Sequence, residues 1–186
     1  MFKYLNITIH QSFEILVFLG RHFRQSFYVR EIAKNLSVSV GGTSTHLISL
    51  REMDLVLCEQ RGRTLLYRAD ITHPVVREVK ILATLLELVP VISPLKASAS
   101  RVILFGSCAE GEDTDESDID LFVESDDRSA VLKIIALYGI TLSRRISPLI
   151  LTPEEALQLR FRDQALYERI QRGKVLIREI TDEISH

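Results

Sequence analysis

The chain has 186 residues, of which 46% are apolar and 26% charged, ordinary values for a globular protein with room for one or two cores. Plentiful Leu, Ile, Val and Phe with a net charge of -2 exclude a disordered polymer, and 8 Gly with 2 Cys exclude collagen-like and disulfide-framework classes. Twenty-three Lys and Arg stand against 25 Asp and Glu, so the total charge by itself gives no sign of a nucleic-acid partner.

In chain order, Met1-Phe2-Lys3-Tyr4-Leu5-Asn6 lacks the layout of a secretory signal. His10 to Phe23 reads as a helix, with Phe13, Leu16, Val17 and Gly20 at helical spacing. Tyr28-Val29 suggests a short strand, and Arg30 to Leu36 a second helix with Ile32, Ala33 and Leu36 apolar. After the turn Ser37-Val38-Ser39, a third helix is expected from Gly41 to Met53, with Leu47, Leu50 and Met53 on one face. Leu55 to Gln60 and Thr64 to Arg68 flank Arg61-Gly62-Arg63, which is a hairpin signal.

Helix, helix, tight turn, helix, hairpin is a helix-turn-helix order followed by a wing. Leu47 and Leu50 must face the core, which assigns Thr43, Thr45, His46 and Ser49 to the outward face. Short hydroxyls and an imidazole there can reach base edges or phosphates in a major groove. Arg30, and Arg61 and Arg63 at the hairpin tip, supply positive charge for phosphate or minor-groove contact. A solvated face on a core used only for dimerisation is the plainer alternative. The wording Val29-Arg30-Glu31-Ile32-Ala33-Lys34-Asn35-Leu36, then Thr45 to Val56, resembles small prokaryotic winged-helix regulators over about residues 10–70. Asp54 stands where that family carries Gly, and Asp tolerates the left-handed turn.

His73 to Leu88 is expected to be a helix with Val75, Val79, Leu82 and Leu86 on one stripe, too broad for a solvated linker and suited to packing between domains or against a second chain as a homodimer interface. Pro90 to Ser100 should punctuate the chain. No apolar run reaches the ~20 residues of a membrane span; the best, Ile81 to Ile92, is broken by Glu87 and Pro90. Cys58 and Cys108 make no C-x-x-C pair and read as reduced thiols of a cytoplasmic protein.

Arg101 to Phe105 is an apolar strand ended by Gly106-Ser107, and after a spacer comes Asp118-Ile119-Asp120-Leu121-Phe122-Val123. Residues i and i+2 of a strand share a face. Asp118 and Asp120 therefore stand side by side, where two carboxylates repel unless a cation joins them. Mg²⁺ takes few carboxylates plus phosphate oxygens, and Gly106-Ser107 offers backbone N–H groups and a hydroxyl to a phosphate. A metal–triphosphate site is one reading; an acidic loop solvating a strand end is the other. From Glu110 to Asp127 there are ten acids and no base, which leaves 23 basic against 15 acidic residues elsewhere. The remainder is therefore net positive and compatible with a polyanion.

At these residues the chain resembles the nucleotidyltransferase superfamily that includes DNA polymerase beta, in particular its minimal prokaryotic members. The resemblance spans about residues 95–178 and implies a C-terminal α/β (α+β) fold with a mixed sheet, preceded by a mainly α winged helix-turn-helix domain. It further implies that Gly106 and Ser107 bind the phosphates of an NTP and that Asp118 and Asp120 hold Mg²⁺ and serve catalysis. The family's third acid, its general base, belongs on a later strand. The corresponding Arg145-Ile146-Ser147-Pro148-Leu149-Ile150-Leu151 carries Ser147 and Pro148 instead, and Glu110 stands where minimal members carry Arg. Leu157 to Leu176 reads as a long amphipathic helical region with Arg160, Arg162, Arg169, Arg172 and Lys174.

The expected organisation is a winged helix-turn-helix domain over 1–72, a linker helix over 73–94 and a nucleotidyltransferase-like domain over 95–186. The expected function is a double-stranded-DNA-binding transcriptional regulator, cytoplasmic and homodimeric, whose second domain binds nucleotide and Mg²⁺ with weak or lost catalysis. The alternative is an active transferase moving a nucleotidyl group to a protein or RNA hydroxyl, in a toxin–antitoxin setting.

Overall fold

A computed structural model describes residues 10–178; the outer ends of the two expected domains lie outside the described residues. The chain divides into two units, one of residues 1–83 with 113–115, the other of 84–112 with 116–186.

In the first unit, α1 (Gln11–Arg21), β1 (Phe27–Tyr28), α2 (Val29–Asn35) and α3 (Val40–Glu52) precede the hairpin β2 (Val56–Arg61) and β3 (Thr64–Ala69). Ends form where side chains satisfy backbone donors. The Tyr28 N–H donates to Glu31 Oε2 at 2.8 Å before α2, and the Gly42 N–H donates to Ser39 Oγ at 3.1 Å at the start of α3. Asp54 has φ 59, the left-handed turn expected of it. The three strands form an antiparallel sheet in the order β1-β3-β2. Ile15, Leu16, Leu19, Ile32, Leu47, Leu50, Leu55, Tyr67 and Val76 build the core.

The same unit contains a buried charge cluster. Asp113 is fully buried, and its Oδ2 lies 3.3 Å from Arg21 Nε. Lys80, 1% exposed, donates from Nζ to the Asp113 carbonyl at 2.6 Å and lies 3.5 Å from its Oδ1. His22 Nε2 lies 3.1 Å from Asp115 Oδ2. The dense acidic segment is thus not uniformly solvated, because one of its acids is an interior anion with two cationic neighbours.

Helix α4 runs over Pro74–Leu95, longer than the helix expected to end near Leu88. Pro90 and Pro94 lie inside it. Each removes one backbone donor, and the helix persists because its last turns are held by burial. Leu88, Val91 and Leu95 enter the core of the second unit. No helix among the described residues is long and apolar enough to cross a membrane.

In the second unit β4 (Arg101–Phe105), α5 (Ser107–Glu110), β5 (Ile119–Glu124), α6 (Arg128–Gly139), β6 (Ile146–Leu151), α7 (Pro153–Arg162), α8 (Gln164–Gln171) and β7 (Lys174–Arg178) follow. The sheet order is β6-β5-β4-β7, with β5 and β6 parallel and the other pairs antiparallel. This is the mixed sheet of an α/β unit. Val102, Leu104, Ile119, Leu121 and Val123 face one core with α4 and α6. Ile103, Phe105 and Phe122 face a second, smaller core with Ile170 of α8. The expected helical region to Leu176 is corrected: it breaks at Asp163, ends at Gln171, and continues as strand β7. Gly173 makes that reversal possible, because a Cβ there would collide with the Leu104 carbonyl. The β-branched Val175 and Ile177 then suit the sheet edge beside β4.

Candidate functional site

The strand β4 runs directly into Gly106, whose φ of 69 and ψ of -158 lie in a region open only to glycine. A Cβ at Gly106 would stand 2.5 Å from Asp120 Oδ2. The turn and the carboxylate are therefore packed against each other with no room for a side chain. Antiparallel pairing of β4 with β5 sets this up, since Phe105 and Asp120 are direct register partners. Ser107 is half-buried and opens the short α5. Asp118 is exposed just before β5, and Asp120 is half-buried within it. The structure thus brings Gly106 and Asp120 into contact, with Ser107 two residues beyond the end of β4 and Asp118 one residue before the start of β5.

Electrostatics bears on Asp120 most. Burial pushes its carboxyl above the ordinary carboxylate range; the positive charge of Arg169 acts against this, and the neighbouring Asp118 adds to it. Arg169 lies on α8 with its Cζ 5.4 Å from the Phe105 ring centroid. The sequence marks Arg169 only as one of several basic residues on a helix. Its place beside Asp120 depends on α8 packing over β4, a long-range contact with no local signature.

Beneath the turn, Cys108 is fully buried. Its Sγ donates to the Asp118 carbonyl at 3.4 Å and accepts from Arg144 Nη1 at 3.4 Å. Arg144 Nη2 donates to Thr84 Oγ1 and Glu87 Oε2, each at 2.9 Å. This support fixes the entry to β5 from behind, and sequence reading missed it. Neither Cys58 nor Cys108 is half of a disulfide.

Strand β6 brings no acid to the site. Its Ser147 is the register partner of Asp120 and Pro148 that of Leu121. Among the described residues no group of three His, Cys, Asp or Glu side chains could hold a metal ion. Two carboxylates and a nearby hydroxyl do fit a hard cation that brings phosphate oxygens as further ligands. Glu110 is exposed on α5.

In the first unit, Thr45 and Ser49 of α3, Arg30 of α2, and Arg61 and Arg63 at the hairpin tip are exposed. Thr43 is not: its side chain is fully buried, and Oγ1 donates to the Ser39 carbonyl at 2.9 Å. His46 is half-buried, with Nδ1 2.8 Å from Ser12 Oγ and Nε2 3.0 Å from Gln11 Oε1. Both ring nitrogens serve the packing of α3 on α1, so the outward placement expected for Thr43 and His46 is corrected. A groove of about 780 Å³ lies beside this surface, lined by Tyr28, Arg30, Val40, Ser44 and Leu65 among others.

A family model described as a nucleotidyltransferase domain matches residues 84–183. Comparison with curated proteins finds no match for the chain.

Proposed function

Since the chain belongs to the nucleotidyltransferase domain family, we propose that its second unit binds an NTP with Mg²⁺ and transfers nucleotidyl groups weakly or not at all. The observation that carries this reading is the register of β5 against β6, which pairs Asp120 with Ser147 where a third carboxylate would be needed. Asp118 and Asp120 would hold the cation, and Gly106 and Ser107 would present a backbone N–H and a hydroxyl to the phosphates. A bound Mg²⁺ supplies positive charge that offsets both the carboxylate pair and the triphosphate. Without a carboxylate on β6, no group of that strand takes the proton from an attacking hydroxyl, which removes a contribution of roughly 10²–10⁴-fold.

The first unit is read as a winged helix that binds double-stranded DNA, making the chain a transcriptional regulator. Its element order and its β1-β3-β2 sheet support this. Thr45, Ser49, Arg30, Arg61 and Arg63 are the contact residues. Exposed Leu86 and Val89 of α4 support a homodimer through that helix, and two thiols outside any disulfide agree with a cytoplasmic location.

Calorimetric titration of the full chain with MgATP tests the nucleotide reading. Saturable binding that Asp118→Ala abolishes is expected, and equal binding by both proteins would refute it. A mobility shift on the chain's own promoter tests the regulator, where absence of sequence-selective binding at moderate salt rejects it. The retained Gly106–Asp120 contact keeps a second reading open, an active transferase acting on a protein or RNA hydroxyl. Label passing from the α-phosphate of ATP to such an acceptor, lost in Asp118→Ala, would favour it.

A further inference from the structure

We propose that Arg169 is the resident counter-charge of the Asp118–Asp120 pair, and that it makes the site select a cation arriving with phosphates over a free cation. This rests on the nucleotide-binding reading. Helix α8 is fixed over the sheet by Ile170, which is 1% exposed and packs with Ile103, Phe105 and Phe122. The preceding residue, Arg169, lies over the Phe105 ring at 5.4 Å. Phe105 and Asp120 are direct partners across an antiparallel pair, so their side chains stand on one face about 5 Å apart at Cβ. A guanidinium over that ring is therefore beside the Asp120 carboxylate, and Arg169 is the attractive charge that Asp120 experiences.

A free divalent cation approaching the pair meets this guanidinium as a like charge. A cation carried by a triphosphate does not meet the same penalty, because the phosphate oxygens give the guanidinium a partner of their own. Arg169 is exposed, and its long stem lets the head group turn from carboxylate to phosphate without moving α8. One side chain thus opposes the bare ion and welcomes the complex.

The test uses the full chain with Mn²⁺ alone, and then with Mn²⁺ and a non-hydrolysable ATP analogue, both followed by water-proton relaxation. Arg169→Gln is expected to bind Mn²⁺ alone about fivefold more tightly and the Mn²⁺–nucleotide complex about fivefold more weakly. Arg169→Lys should fall between it and the unaltered chain in both titrations. Opposite shifts in the two titrations support the proposal. Affinities that stay within twofold, or that move in the same direction, overturn it, and a parallel loss of both is the mark of a merely structural role. If the unaltered chain does not bind the Mn²⁺–nucleotide complex, the nucleotide reading falls and takes this inference with it. If it binds and Arg169→Gln matches it, this inference alone falls.

Discussion

Gly106 ties backbone strain to chemistry at one atom. Its positive φ acts together with the 2.5 Å that would separate a Cβ at this position from Asp120 Oδ2. Gly106→Ala should cost about 2–3 kcal/mol of stability and abolish MgATP binding, as read by thermal unfolding and calorimetry. Asp120 carries a second consequence. Its folded pKa is raised, chiefly by burial. The unfolded chain therefore loses this proton first as pH rises, and stability falls between the ordinary carboxylate pKa and the raised folded one. Asp120→Asn should remove that part of the pH dependence and raise the melting temperature at pH 7 while losing metal binding. Side chains of this kind are legible in sequence when their relation is local or periodic. Gly106, Ser107, Asp118 and Asp120 announce themselves by strand, turn and i, i+2 spacing. Thr43 and His46 escape such a reading because helical periodicity gives a face but not the width of its buried part. Whether His46 meets water or Gln11 depends on where α1 lies, 34 or 35 residues away in sequence.

At the scale of elements, register decides what the second unit has available. The parallel pairing of β6 with β5 places Ser147, and no carboxylate, level with Asp120. Ser147→Asp would restore an acid there. If the remaining geometry is competent, transfer of label from the α-phosphate of ATP should rise about 100-fold over the unaltered chain. A rate unchanged within error would mean that the defect lies elsewhere, for example at Glu110. The three helices and hairpin of the first unit are legible in sequence to within a residue or two, because each has its own periodicity and a polar turn or cap at its edge. Other elements are not, α4 and β7 among them. α4 outlasts two prolines because burial of Leu88, Val91 and Leu95 outweighs their local preference. β7 reads as part of the preceding helix because its five residues carry no strong alternation, and its partner β4 lies some seventy residues earlier.

For the whole molecule, net charge is a poor guide to charge placement. The acidic segment supplies a half-buried carboxylate to the site in Asp120 and a fully buried one to the first unit in Asp113. Removing one partner from a buried ionic cluster costs roughly 3–5 kcal/mol, since the remaining charges stay desolvated. Asp113→Ala should therefore lower the unfolding temperature clearly, whereas the same change at the exposed Asp126 should leave it within error. There is also a consequence in time. The first unit is continuous to Ala83, yet its last segment, 113–115, comes thirty residues later along the chain. On a ribosome that delivers residues from the N-terminus, Lys80 and Arg21 emerge before their common anion exists. The first unit is thus a structure that its own translation leaves unfinished until a good part of the second has been made.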